Sequence, residues 1–462
     1  MGPSVRFAAG TLAGLLIGTA PAAAETLEEA LASAYRDNPE LKAARAELRA
    51  VDEGVPQAKA GWRPEVTVDN SVGRTQTESE VPAQQGQGIV DSTTDTTPRS
   101  TSITLEQSVW RGGRTSAQVD AARRKVMAQR QKLEQTEQEV LLDAAEAYLN
   151  VVRDKAVVRL NENNREVLQR QLQAARDRFE VGEITRTDVS QARARVAGAK
   201  AETIQARGDL QASRAAYEKV IGHPPEAVST PDMPDGLPES KDALVAKAIE
   251  DNPRVDAAQE AARAARHNAR AVKGELLPSL ALQAQASRSW EQQEPRDRYT
   301  TYSATASLSI PLYQSGAVYS RLREARQTVG QRRMEGARAR RAAAEQGASA
   351  WENLQAARAS LESIKAQIEA ADLALEGVKR EAQVGARTTL DVLDAEQELL
   401  NAKVDRVKAR RNALVAAYRV LAAKGALTAE ALGLSVTPYQ PATHYKAVED
   451  KWFGGSVDET RE

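Results

Sequence analysis

Covalent chemistry has few candidates in this chain of 462 residues. There is no cysteine, which removes disulfides, thiol nucleophiles, Cys-ligated zinc and a lipid-bearing N-terminal cysteine. The three histidines, His223, His267 and His444, are far apart and in no metal-ligand spacing. His267 falls in an Ala/Arg-rich helical stretch and reads as a residue of a solvated face. Trp110-Arg111-Gly112-Gly113-Arg114 imitates a phosphate cradle but lacks the Gly-Lys-Ser/Thr ending, so it reads as a turn from a strand into a helix. No nucleophile–base pair is left. Neither an enzyme nor a cofactor or metal is expected, and the function must be mechanical and electrostatic.

The charges that stand out belong to one turn written twice, Phe179 to Val189 and Gln383 to Asp394. In each copy Val-Gly ends a helical pattern, where Gly182 and Gly385 can take a left-handed cap. Thr-x-x-Asp then opens the next helix, as Thr185 with Asp188 and Thr388 with Asp391, the spacing of a capping box. Beyond that the copies diverge. Arg387 stands where the first copy has Ile184, and Asp394 where it has Gln191. Capping explains neither change. Asp394 lies three residues past Asp391 on the same helix face.

Long helices must carry these turns. Lys and Arg number 63 against 64 Asp and Glu, which argues against nucleic acid. Aromatics are 4% and Phe occurs three times, while Ala, Arg, Gln, Glu and Leu abound. That composition suits helices packed closely through small residues. Leu354, Leu361, Ile368 and Leu375 are spaced in sevens, with Ala357, Ile364, Ala371 and Val378 beside them, an a/d seam. Val189, Val196, Leu210 and Tyr217, and Leu393, Leu400, Val407, Leu414 and Leu421, repeat it. Residues 113–180 contain no proline and would span about 100 Å as one helix.

The helices belong to a duplicated unit. Asp37-Asn38-Pro39 recurs at Asp251-Asn252-Pro253, and the same offset relates Pro64 to Pro278. Farther on, a second offset relates Gly113 to Gly316, Tyr148 to Trp351, Gly182 to Gly385 and Gly222 to Gly425. The offset changes within about 74–103, a polar stretch expected to be irregular. Residues 1–24 read as an export signal: Arg6, a short apolar run, then Ala22-Ala23-Ala24. The expected organisation is signal 1–24, first repeat 25–223, Pro-rich joint 224–239, second repeat 240–425, and a tail 426–462 without counterpart.

Each repeat also carries two alternating stretches: Val66 to Val72 and Ile103 to Val109, then Leu280 to Ala286 and Tyr302 to Leu312. Polar loops are expected at about 74–101 and 288–298. Trp110, Trp290, Tyr299, Tyr302 and Tyr313 lie at or near strand ends, where interface aromatics belong. No segment after the signal approaches the roughly 20 apolar residues of a spanning helix, so a membrane crossing must use strands. Four strands cannot close a barrel, whereas three chains supply twelve, which can.

The export signal, the duplicated strand–strand–long-helix unit and the two turns together resemble the TolC family of outer-membrane efflux proteins, over essentially the whole mature chain. The tail Tyr439…His444-Tyr445…Trp452-Phe453-Gly454 resembles C-terminal segments of some family members. The resemblance implies an α+β membrane protein of a Gram-negative bacterium, extending into the periplasm. It would be a homotrimer whose 12-stranded β-barrel, four strands per chain, continues into a 12-helix α-helical barrel. It implies a passive exit duct for efflux of small molecules or type I protein secretion. A periplasmic adaptor and an inner-membrane pump of ABC, RND or MFS type would open its tip. Asp391 and Asp394 would form two carboxylate rings, a cation-binding constriction at the entrance, with no metal cofactor. Arg387 would tie the inner helix pair to Thr187 and Asp188, the gate links. Ala382 departs from the family, which often has an aromatic there, so fewer links would hold the closed tip. The rivals are a periplasmic adaptor, which would carry one helical hairpin among lipoyl-like modules, and a scaffold coiled coil without a channel.

Overall fold

A computed structural model describes residues 24–82, 89–294 and 296–456. The expected export signal therefore lies, up to residue 23, outside the described residues. The chain divides into two compact units. One holds the chain up to Ala34, Asp143–Met233 and Ala359–Val415; the other holds Tyr35–Leu142, Pro234–Arg358 and Ala416–Glu462.

The elements follow in the order α1 (Leu27–Asp37), α2 (Pro39–Asp52), α3 (Gly54–Lys59), β1 (Glu65–Val72), β2 (Thr75–Pro82), β3 (Ile89–Thr96), β4 (Arg99–Arg111), α4 (Arg114–Glu180) and α5 (Arg186–Ile221). Next come α6 (Lys241–Glu250), α7 (Pro253–Lys273), β5 (Ser279–Trp290), β6 (Arg298–Ser309), α8 (Ala317–Gln383), α9 (Thr389–Ala423) and α10 (Pro441–Val448). Both Asp-Asn-Pro copies start helices: Asn38 and Asn252 accept the amides of Glu40 and Arg254 as N-caps, with proline at the first helical position. α4 and α8 each run 67 residues.

One sheet holds β1, β4, β5 and β6 in that order, all neighbours antiparallel. β1 and β6 are its edges, and neither edge is paired among the described residues. Val66 faces Leu105, Val68 faces Ile103, Ala286 faces Tyr302 and Leu280 faces Leu308 across the strands. Those pairs share one face, and its larger side chains, Val66, Val68, Ile103, Leu105, Tyr302 and Leu308, are exposed. An apolar stripe of that kind on a sheet is a surface made for lipid or protein rather than water.

Three expectations need correction. The stretch 74–101 is not an irregular loop, because β2 and β3 pair as an antiparallel hairpin there. Its threonines favour extended backbone, and Arg74 pairs with Asp95 at 2.8 Å. Both faces are polar, so no alternation betrayed it. The fourth strand stops at Ser309, short of Leu312, since Pro311 cannot donate to a ladder. His267 is not a solvated face residue: its ring is largely covered, and Nδ1 lies 3.5 Å from Asp120 Oδ2.

The Gly112-Gly113 pair turns β4 into α4, both residues at positive φ. A Cβ on Gly112 would lie 2.4 Å from the Gly274 carbonyl oxygen, so close approach as well as φ requires glycine. The seams pack as alanine-rich cores. In the unit with the sheet, Leu244, Leu354, Ala417 and Val420 are buried together, with Trp351 beside them. In the other, Tyr148 is fully buried; its hydroxyl donates to the Glu25 carbonyl at 2.7 Å and accepts the Ser229 amide at 3.0 Å. This holds the segment before α1 to the segment after α5. Among the described residues no helix is long and apolar enough to cross a membrane.

Candidate functional site

Both charged turns lie in the unit without the sheet. α4 ends through Gly182 at φ 80°, with the Glu183 amide donating to the Arg178 carbonyl at 2.9 Å. α8 ends through Gly385 at φ 79°, with the Ala386 amide donating to the Glu381 carbonyl at 2.9 Å. In each case the left-handed glycine lets the chain fold back and satisfy a terminal carbonyl.

The following helices open on matching capping boxes. The amides of Asp188 and Asp391 donate to Thr185 and Thr388 Oγ1, both at 3.3 Å. The Asp188 and Asp391 Oδ2 atoms accept the threonine amides at 2.9 Å and hydroxyls at 2.8 Å. The Thr185 hydroxyl, then its amide, holds the Asp188 carboxyl below the usual range. The Thr388 amide, then its hydroxyl, does the same for Asp391, with a smaller contribution from Arg387.

The other candidates are placed differently. The Arg387 Nε donates to Glu381 Oε2 at 2.9 Å, a bond across its own turn that raises the guanidinium pKa. Thr187 is exposed on the first turn of α5, and Asp188 is occupied by its cap. Within one chain Arg387 is thus bonded to Glu381, not to Thr187 or Asp188. Asp394 forms an ion pair with Arg195 of α5. Between the two aspartates, Leu393 is buried against Leu168 of α4 and Ala199 of α5. Two residues past Asp394, the Glu396 side chain is 5% exposed and meets Lys379 of α8 at 2.9 Å.

Arg195, Glu381 and the Lys379–Glu396 pair escaped the sequence reading. Glu381 had a signal, since it stands where the first copy has Arg178 and so inverts a charge beside Arg387. Arg195 had none, because its meeting with Asp394 depends on the register of α5 on α9, which heptads in separate helices do not specify. Among the described residues no group of three or more His, Asp or Glu side chains is placed to hold a metal. What the arrangement offers is acids and bases in pairs at helix turns, suited to linking or repelling other chains and attracting ions.

The family described as "Outer membrane efflux protein" matches residues 30–223 and 244–426. The outer membrane efflux protein BepC of Brucella suis biovar 1 (strain 1330) is 37% identical over 449 residues, 97% of this chain and 95% of that protein. The outer membrane protein TolC of Escherichia coli (strain K12) is 27% identical over 424 residues, 88% of this chain and 84% of TolC. The fold is that of the Campylobacter jejuni CmeC outer membrane channel, with a TM-score of 0.75 at 15% identity over 92% of this chain and 89% of that one. A family match in both halves, and a relative this similar end to end, set aside the adaptor and the scaffold: the chain belongs to the outer membrane efflux protein family.

Proposed function

We propose that three copies of this chain form a passive exit duct across the outer membrane, for efflux of small molecules or type I protein secretion. The carrying observation is the sheet. Its outward stripe of Val66, Val68, Ile103, Leu105 and Leu308 suits lipid, yet β1 and β6 leave two bare edges. Unpaired backbone in hydrocarbon costs several kcal/mol per group, so such a sheet must be closed by other copies. Three copies give twelve strands, and their long helices a twelve-helix barrel.

In this proposal a periplasmic adaptor and an inner-membrane pump open the tip, and the pump supplies the energy. Asp391 and Asp394 form rings of three carboxylates at the entrance. Arg387 reaches Thr187 and Asp188 of a neighbouring helix pair while the tip is closed, exchanging its Glu381 partner for them. Gly182 and Gly385 let the helix pairs turn tightly. The repeats 25–223 and 240–425 act as the two halves of each protomer, and residues 426–462 as a periplasmic tail. The test is sedimentation in detergent of protein taken from outer membranes, together with conductance in planar bilayers. A heat-sensitive, conducting trimer is expected; a folded, inserted monomer overturns the proposal.

A further inference from the structure

After α9 the chain returns to its own N-terminal helices and follows them in order. The Tyr439 amide donates to the Tyr35 hydroxyl at 2.9 Å. The Arg45 guanidinium lies 4.7 Å from the Tyr35 ring centre and 5.3 Å from that of Tyr439. His444 on α10 meets the buried Asp52 carboxylate, Nδ1 to Oδ2 3.0 Å. Lys59 Nζ reaches Asp450 at 2.6 Å. Arg63 donates to the Lys451 carbonyl at 2.8 Å, with its guanidinium 4.9 Å from the centre of the Trp452 ring. Positions 439, 444, 450 and 452 thus match 35, 52, 59 and 63. The tail is laid parallel to the entering chain, and among the described residues it reaches Arg63, two residues before Glu65, where β1 begins.

What this path delivers is apolar and bare. Trp452 is 57% exposed and Phe453 85%, with ring centres 6.3 Å apart. A strap that only fastened the tail would be complete at His444, Asp450 and the Arg63 contact, and would have no use for a bare Phe453 beyond them or for a Trp452 ring left more than half uncovered. Their location supplies the use. At the same, helix-bearing end of the sheet, Trp62, Trp110 and Tyr313 are also exposed. In a strand-built membrane protein that end lies at the level where lipid headgroups meet water, and amphipathic rings collect there.

We infer that Trp452 and Phe453 are a membrane-interface anchor, seated in the headgroup region of the leaflet that faces the periplasm. The partner is a phospholipid surface. The tail adds a second row of rings to the strand-end aromatics, at a depth set by Arg63. With no cysteine to carry a lipid, a chain with this tail still has a fixed point at that leaflet.

The test uses the full-length trimer in bilayer nanodiscs and the fluorescence of its five tryptophans. Trp452→Phe keeps an aromatic ring and removes one emitter, so wild type minus variant isolates Trp452. That difference emission should fall by about half or more when the lipids carry bromine near the headgroup, and less when bromine sits at the chain ends. Phe453→Trp in the Trp452→Phe background should restore the quenchable emission, which guards against a fault in one variant. Quenching by aqueous iodide without quenching by brominated lipid would put the rings in open water and overturn the inference. Resistance to both quenchers would put them against a neighbouring subunit and overturn it equally.

Discussion

The two helix turns share a backbone and differ in how they are held. The first is pinned by hydrocarbon: Ile184 packs with Val189 and Val196 against Leu172, Ala175 and Ala192. The second places an exposed Arg387 at that position, and its buried side chain, Leu393 against Leu168 and Ala199, comes six residues later. The local ion pair is inverted as well. In the first turn Arg178 on the helix end meets Glu183 at 3.5 Å; in the second Glu381 on the helix end meets Arg387 at 2.9 Å. At that equivalent position one turn is held by burial, which neither salt nor a partner chain can exchange. The other is anchored by an exposed charge pair, which both can. The two hairpins share their capping geometry and differ at this position, an apolar contact in one and an exposed ion pair in the other.

The largest effect should come from the acid that only the second copy carries. Asp394→Asn preserves shape and, in the proposed trimer, removes three charges from the entrance. It should raise the concentration of a trivalent cation needed for half block in planar bilayers on the order of a hundredfold. Arg195→Gln sharpens this prediction, because Arg195 now partly neutralises Asp394. Its removal should lower the blocking concentration. If Asp394→Asn channels are blocked like wild type, Asp394 is an ordinary helix-surface acid serving Arg195 alone.

Next in size is the exchangeable anchor. Arg387→Ser removes one charge-assisted link per protomer and should increase resting conductance several-fold, since three links bias one equilibrium. Because Ala382 cannot add a side-chain bond there, the expected increase is smaller than it would be with an aromatic. Unchanged single-channel conductance would confine Arg387 to its own turn with Glu381.

The hydrocarbon anchor gives a smaller, local effect. Ile184→Ser withdraws a partly buried side chain, worth about 1 kcal/mol at this exposure. Amides of residues 181–188 should then exchange about fivefold faster, approaching the rate at 384–391. Equal rates at both turns in the wild type would remove the distinction drawn between them.

How much of this was legible depended on whether the deciding interaction lies within one periodic segment. The heptads located α5, α8 and α9, because burial recurs every seven residues: Ala192, Ala199 and Ala206 are buried, as are Leu393, Leu400, Leu414 and Leu421, and the absence of proline located α4. The sheet was legible where one face is apolar, as at Val66 and Val68. The β2–β3 hairpin was not, because Thr75, Thr77, Thr93 and Thr94 leave no contrast between faces. The capping boxes were legible because they span three residues. The Arg195–Asp394 pair, the Arg387–Glu381 bond and the Lys379–Glu396 pair depend on how particular side chains meet once folded, and spacing alone leaves them open. The tail's course was hidden for the same reason, since Asp52 and His444 meet across most of the chain.

The smallest difference between the turns should appear on acidification. The Asp188 and Asp391 carboxyls are both held below the ordinary value, each chiefly by its capping threonine. A carboxylate with a depressed native pKa stabilises the fold at pH above the unfolded value, about 3.9, and loses that contribution as pH falls through the native value. Both helix starts should therefore be intact at neutral pH and fray together below about pH 4, seen as faster amide exchange at the first turns of α5 and α9. Thr185→Ala and Thr388→Ala should each remove the acid sensitivity of their own turn, at a cost of about 1 kcal/mol of local helix stability. The turns part only through salt. Arg387 adds to the depression at Asp391, whereas Ile184 contributes no charge beside Asp188. Raising the ionic strength should move the acid transition of the second turn toward that of the first and leave the first in place. If salt shifted both turns alike, the Arg387 charge would not be felt at Asp391, and the inverted ion pair would be incidental to the difference between the hairpins.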